Sequence, residues 1–362
     1  MLKSVCPPPL IGLIGLLLLF SGCSNTTPTP SATPTPPAVL TLYNWAEYMP
    51  QSVLDAFINE YGIEVDYLAY ATPEEAVDSL KSGGVYDVVV LSPEHLPGLI
   101  TGSWLAPIDY NNVPNFKNVS PNFRDLVYDP GNRYSIPFHW GVSGLLVRTD
   151  RLETPVTRWA DLWDPRYSGR IALWPISGSL LSIALKSLGY SANSTDLDEL
   201  DAAAQHLEQL IPHVTWWDPK AASIVPSLTE GDNVIAFGWA YDARVASEQS
   251  VPISFILPED GSVLWSDIFV IPANSPHKST AELFLNFVLR PEISAQIINE
   301  SYYAMANDAA EPWVAPEILA DPVVYPPDEF LHNAEVIMPL NPTTEDRYSA
   351  IWKQFEDLIV LP

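Results

Sequence analysis

Residues 39–91 alternate between two hydrophobic periods, and that alternation leaves few folds open. "VLTLYNW" is a near-continuous apolar run, as buried strands are. "PQSVLDAFINEYG" places Val53, Leu54, Phe57 and Ile58 at helical spacing, with Pro50 near the first turn and Gly62 as the stop. "IEVDYLAY" reads as a second strand, "TPEEAVDSLKSGG" as a helix opened by a Thr72–Glu75 capping box, and "YDVVVLS" as a third, buried strand. Strand–helix–strand–helix–strand implies a parallel sheet with helices on its faces. Such sheets bind ligands beyond the carboxyl ends of their strands. Trp45–Tyr48 and Ser92–His95 follow the first and third strands, so both belong to that rim. Packing alone does not explain why a strand should end in "NWAEY", two aromatics around an acid.

The middle of the chain, about 143–265, adds strands ("RIALWP", "NVIAFGW", "ISFILP") and helices ("SLLSIALKSLGY", "DELDAAAQHLEQLI"). "SDIFVIPA" reads as another strand and "KSTAELFLNFVLRPEISAQIINES" as one long helical stretch. "TTEDRYSAIWKQFEDLI" is an amphipathic helix. A chain of 362 residues is long for one domain, and two α/β lobes are the economical architecture. With 47% hydrophobic and 17% charged residues the chain is globular rather than disordered. Its 44 acidic residues against 17 basic ones, a net charge of −27, disfavour nucleic acid and anionic membrane surfaces and attract a cationic ligand.

At the N-terminus Lys3 precedes the apolar run "LIGLIGLLLLF". That run is too short to span a bilayer core of about 30 Å and has the length of a signal-peptide core. It leads into "FSGC", which resembles a bacterial lipobox with Phe20 where an aliphatic residue is usual. The resemblance implies that residues 1–22 are removed, that Cys23 is lipidated, and that the lipid anchors the chain to a membrane. Cys6 lies in the removed segment and no cysteine follows Cys23, so the folded part has no disulfide, thiolate metal site or cysteine nucleophile. The proline- and threonine-rich "SNTTPTPSATPTPPA", residues 24–38, reads as an extended tether of roughly 45 Å at about 3.1 Å per residue.

"LYNWAEYMP", "YSIPFHWG", "RWADLWDPRYSGRIAL", "ALKSLGYSANSTD", "VLWSDIFVIPANS" and "FLNFVLRPE" together resemble the spermidine/putrescine-binding lipoproteins and periplasmic proteins of polyamine ABC transporters. The resemblance runs in order from about residue 39 to 362. It implies a type II periplasmic-binding fold with the ligand between two lobes, one of 39–142 plus 266–311 and the other of 143–265 plus 312–362. It further implies a monomer outside the cytoplasm that captures a polyamine by lobe closure, hinged near 142 and 265, and hands it to the permease subunits of an ABC transporter. No cofactor is expected. The alternative kept open is another cationic small molecule, or ferric ion, on the same fold.

A polyamine carries ammonium groups joined by methylenes. Each ammonium needs a carboxylate or other oxygen acceptors, since an unpaired buried charge is very costly. Aromatic faces serve both the methylenes and the cations. Trp265 and Asp267 in "LWSDIF" are two apart on an expected strand and so share a face; the resemblance makes both ligand contacts. Asp242 falls in the first turn of a helix after Trp239, where the helix dipole alone explains an acid. The "GWAxD" arrangement of the putrescine-binding branch makes Trp239 and Asp242 cleft residues. By the same resemblance Trp45, Tyr48, Ser92 and Tyr303 line the cleft.

There are departures from the family. Ile176 and Ser179 stand where some spermidine binders have two acids, Ile337 replaces a late glutamine, Ala46 replaces a hydroxyl residue, and Glu94 replaces a cleft tyrosine. Glu94 is kept as a ligand candidate that compensates for the missing acids. Tyr302–Tyr303 is the adjacent pair that a ferric-ion binder would use, although Fe(III) wants several anionic oxygens and this cleft is rich in tryptophan. GxSxG, HExxH and P-loop motifs are absent, and His139 in "PFHWG" reads as a structural histidine, so no enzyme is expected.

Overall fold

The computed structural model describes residues 39–46, 48–356, 358 and 359. The leader, the lipidation of Cys23 and the tether, all expected from the sequence, lie outside the described residues, as does Glu47. β1 (Val39–Trp45) buries Leu40 and Leu42 and pairs in parallel with β2 (Glu64–Tyr70) and β3 (Val88–Leu91). The helix Gln51–Tyr61 between β1 and β2 turns Val53, Leu54 and Phe57 inward and stops at Gly62, whose φ of 66° suits a residue without a Cβ. Before the helix Pro73–Lys81, Thr72 Oγ1 accepts the Glu75 amide at 3.2 Å, while Glu75 reaches back to the Ala71 amide at 2.9 Å instead of that of Thr72. The capping box thus forms with its return bond moved one residue upstream.

β4 (Ser135–Val142) ends the first pass through this sheet, and the chain crosses at Ser143 into β5 (Gly144–Arg148) of a second sheet. That sheet adds β6 (Ile171–Leu173), β7 (Val214–Trp216), β8 (Ile235–Gly238) and β9 (Ile253–Ile256). The chain then returns through β10 (Val263–Val270), followed by the short β11 (Ala304–Met305) and β12 (Glu335–Val336). The first sheet runs β11-β4-β10-β3-β1-β2 with β12 added beside β10, and the second runs β7-β6-β8-β5-β9. The two crossings lie side by side: Ser143 N donates to Val263 O at 3.1 Å, and buried Ser262 donates its hydroxyl to Ser143 O.

Both sheets are mixed. β10 runs antiparallel to β3 and β4, and β5 antiparallel to β8 and β9. The first core gathers Leu40, Leu42, Phe57, Phe138, Phe269, Phe284 and Phe287; the second gathers Leu145, Trp159, Leu207 and Phe237. The stretch 278–301, expected as one long helix, is two, Lys278–Val288 and Pro291–Ser301. Pro291 has no N–H for the helical ladder and holds Arg290 extended (φ −66°, ψ 138°), which breaks the run. Val314, Ile318 and Val324, from a segment expected to lie wholly in the second lobe, pack in the first core. Ile351 and Phe355 of the last helix, Pro342–Glu356, pack in the second, at 0% and 3% exposure.

Candidate ligand-binding cleft

Because β1 and β3 are parallel, their carboxyl ends open onto one rim, and the chain after each reaches the same space. β10 enters that rim from the other direction. Its Ile268 pairs with Leu91, so antiparallel register sets Asp267 across from Ser92. The pairing of β10 with β4 shifts between Ser266 and Ile268, which leaves Asp267 outside that ladder. From the second sheet come the ends of β6 and β8 and the helix starts that follow them. Together they enclose a cavity of about 660 Å³, and its lining includes all nine residues singled out from the sequence: Trp45, Tyr48, Ser92, Glu94, Trp239, Asp242, Trp265, Asp267 and Tyr303. Ala46, Ile176, Ser179 and Ile337, the other departures from the resembled family, line it too.

Asp267 is 6% exposed. Tyr48 donates its hydroxyl to Oδ2 at 2.6 Å and Ser92 donates to Oδ1 at 3.4 Å. Burial pushes the carboxyl up to about 7, with the charge of Glu94 adding to the rise and the hydrogen bonds from Tyr48, Ser92 and Trp45 opposing it. Glu94 is itself half-buried and its carboxyl is raised, chiefly by burial. Tyr48 is raised well above the ordinary tyrosine range by burial and then by the neighbouring carboxylate. The two lysines on the cavity lining, Lys81 and Lys353, are exposed. Two acids facing one hollow, both disfavoured as anions, form a site that a cation relieves.

Asp242 answers to its helix as well as to the cavity. One oxygen accepts the Trp239 amide at 3.1 Å; the other accepts Ser223 Oγ at 2.6 Å and the Ile224 amide at 3.2 Å. Even so, burial pushes it up to about 6. A carboxylate offers about four acceptor positions, so one remains for a ligand. Gly238 makes the arrangement fit: a Cβ there would stand 2.7 Å from Asp242 Oδ2 and 2.7 Å from a Leu146 methyl.

The aromatic lining falls into two groups. Trp265 meets Tyr303 edge-on at 5.4 Å between centroids, Tyr303 meets Tyr48 at 5.3 Å, and Trp174 lies 6.1 Å from Trp239. Trp265 lies flat on β4 because Gly141 has no side chain; a Cβ there would come within 2.6 Å of the indole. Tyr302 and Tyr303 part company: Tyr303 lines the main cavity, while Tyr302 packs on the Arg244 guanidinium and lines a separate groove. Their adjacency in sequence therefore gives no paired tyrosinate site.

Trp174 was missed from the sequence, while His139, read there as a structural histidine, is one. Trp174 follows β6, and the same strand-end rule that picked out Trp45 would have found it. His139 does not line the cavity but sits fully buried behind it, in ring contact with Tyr48 (4.7 Å) and Tyr303 (5.6 Å). Its Nδ1 lies 3.3 Å from Ala304 O, Nε2 has no partner, and burial holds the imidazole neutral by lowering it to about 3.

The bacterial extracellular solute-binding protein family matches residues 52–324. The spermidine/putrescine-binding periplasmic protein of Escherichia coli is 35% identical over 299 residues, 82% of this chain and 85% of that one. The putrescine-binding periplasmic protein PotF of the same organism is 30% identical, over 80% of this chain and 83% of its own. Among solved structures, the spermidine/putrescine ABC transporter substrate-binding protein PotD of Streptococcus pneumoniae superposes with a TM-score of 0.72 at 28% identity, covering 89% of this chain and 99% of that one.

Proposed function

This chain belongs to the bacterial extracellular solute-binding protein family, and from that premise we propose that it captures a polyamine in the cavity around Asp267 and delivers it to an ABC transporter permease. Members of the family bind substrates for transport and are not enzymes. The observation that carries the reading is the pair Asp267 and Glu94, two disfavoured carboxylates at one end of an aromatic hollow. One ammonium docks between them, accepted by Asp267, Glu94 and Ser92. Trp45, Tyr48, Trp265, Tyr303 and Trp239 enclose the methylene chain and face its cations. Asp242 offers its remaining acceptor position to a second ammonium.

Micromolar affinity corresponds to about −8 kcal/mol. Two charge-assisted hydrogen-bond clusters and four or so aromatic contacts of roughly 0.5–2 kcal/mol each are sufficient for that after the cost of ordering. The lobes we infer are the two sheets with their cores, with residues 314–325 joining the first and the last helix the second. They close about the paired crossings at Ser143 and Ser262–Val263. Cys23 carries the lipid that anchors the monomer to a membrane outside the cytoplasm, with 24–38 as the tether.

Calorimetric titration with putrescine and spermidine tests the reading. Micromolar or tighter binding of at least one amine, lost in Asp267→Asn, is the expected result. Equal binding by the variant would move the site elsewhere, and no binding of any amine would overturn the ligand class.

A further inference from the structure

Tyr302 caps the helix Pro291–Ser301 in the left-handed conformation, at φ 58° and ψ 23°. Glycine is the usual residue there, and a bulky aromatic bears a steric cost. The conformation is held from both sides: the Tyr302 amide donates to Ile298 O at 2.9 Å, and Ala304 pairs with Trp140 where β11 meets β4. Its effect is to aim two adjacent rings apart, Tyr303 into the main cavity and Tyr302 into a groove of about 410 Å³. Strain of this kind persists only where the surroundings over-determine it, as at clamps and switches.

The groove has one wall from each half of the molecule. Tyr302 packs on the first core, and Ile318 lies within it. The facing wall is the helix Ala240–Ser247, whose Val245 and Ala246 pack on or in the second core, together with Ser254 and Phe255 of β9. The Arg244 guanidinium of that helix stands over two rings, 5.2 Å from the centroid of Tyr241 on its own helix and 5.3 Å from that of Tyr302. Its Nη1 also donates to Glu248 at 2.6 Å. Parting the halves would therefore break the Tyr302 contact and leave Tyr241 and Glu248 to hold the side chain. Arg244 Nε is buried without a partner, a cost that hydration removes once the halves part. The stack is offset by that cost, so it reinforces closure and does not drive it.

A ligand supplies the drive. Asp242 faces the main cavity, and Arg244, two positions and about 200° further round the helix, faces the groove. Tyr303 and Tyr302 face the same two spaces from the first half, and Tyr241 lies 6.3 Å from Tyr303. A ligand drawn between Asp242 and Tyr303 brings Arg244 and Tyr302 together in the same movement. Resting on the reading of capture by closure, we propose that Arg244 and Tyr302 form a clasp outside the cavity that slows release of the ligand without touching it.

The test is stopped-flow measurement of association and dissociation rates for putrescine and spermidine on the full chain, in the unaltered protein, Tyr302→Asn, Arg244→Gln and the double variant. Asparagine tolerates the left-handed conformation and glutamine a helix interior, so both changes keep the backbone. Each single change is expected to raise the dissociation rate about tenfold and to leave the association rate within about twofold. The double variant is expected to match the singles, because the two residues make one contact. Unchanged dissociation in both singles overturns the clasp, as does a double variant whose effect is the product of the singles. A fall confined to the association rate also overturns it, because a distorted cavity wall would then be the cause. Failure of both amines to bind the unaltered protein overturns the polyamine reading itself, and the clasp with it.

Discussion

Tyr48 and Asp267 lie 219 positions apart in the chain, and the tyrosine hydroxyl donates to the carboxylate across 2.6 Å. This bond joins the loop after β1 to the middle of β10, and it aims Asp267 from behind while leaving its Oδ1 side with the longer Ser92 contact. Tyr48→Phe removes the donor but keeps the ring. The amine affinity is expected to fall roughly tenfold, since a hydrogen bond to a charged group is worth about 1.5–3 kcal/mol and part of it is recovered by rearrangement. Calorimetry on the variant checks this, with unchanged affinity as the contrary result.

Amine binding is expected to depend on pH. In the empty protein Asp267 titrates near 7, far above its ordinary value of 3.8, because burial disfavours the anion. An ammonium stabilises the anion, so the bound carboxyl titrates lower and capture releases a proton in the window between the two values. Affinity should therefore be level above about pH 7 and weaken below it, by up to about tenfold per pH unit. Titrations at pH 6.5 in buffers of different ionisation enthalpy measure the released proton directly. An affinity flat from pH 5.5 to 8 would contradict the burial argument.

The same raised carboxyl works against the empty fold. A carboxyl whose folded value exceeds its unfolded one stabilises the native state when protonated, and that contribution is lost as pH rises from about 4 to about 7. Asp267→Asn keeps an acceptor for Tyr48 and cannot ionise. Without ligand at pH 8 it is expected to be more stable than the unaltered chain by about 1–3 kcal/mol, with the difference vanishing near pH 4. Thermal or urea unfolding at the two pH values checks the sign. A variant less stable at pH 8 would show that the anion is well solvated in the empty cleft.

His139 is expected to act on affinity without touching ligand. It completes a triangle of rings with Tyr48 and Tyr303, at 4.7, 5.6 and 5.3 Å between centroids, and so fixes the angle between two cavity walls. His139→Leu removes a buried nitrogen that has no partner along with the long contact to Ala304 O, so the two effects on stability offset each other. Unfolding temperature should shift by a few degrees at most, while affinity falls about three- to tenfold. Loss of stability with affinity retained would make the residue purely structural.

Much of this was legible in the chain because the two signals involved are local. Hydrophobic period gives β1, β2 and β3 and the helices between them, and strand ends in such a sheet point to the rim where Trp45 and Ser92 lie. What stayed hidden depends on register between distant strands. The shift in the β10–β4 ladder that frees Asp267 leaves no trace in "LWSDIF", and His139 became a buried wedge only through β4 pairing with β11. The double duty of Asp242, helix cap and cavity wall, was ambiguous for the same reason, since Ser223 and Ile224 reach it from 18 or 19 positions away.

The last helix carries a consequence for how the chain acquires its fold. Ile351 and Phe355 fill the core of a sheet whose strands are complete by Ile256, so about a hundred residues are made between the final strand of that sheet and the side chains that seal it. A chain that reaches its compartment N-terminus first therefore leaves that half of the molecule unsealed after its strands are in place, and it attains full packing only when the last helix arrives.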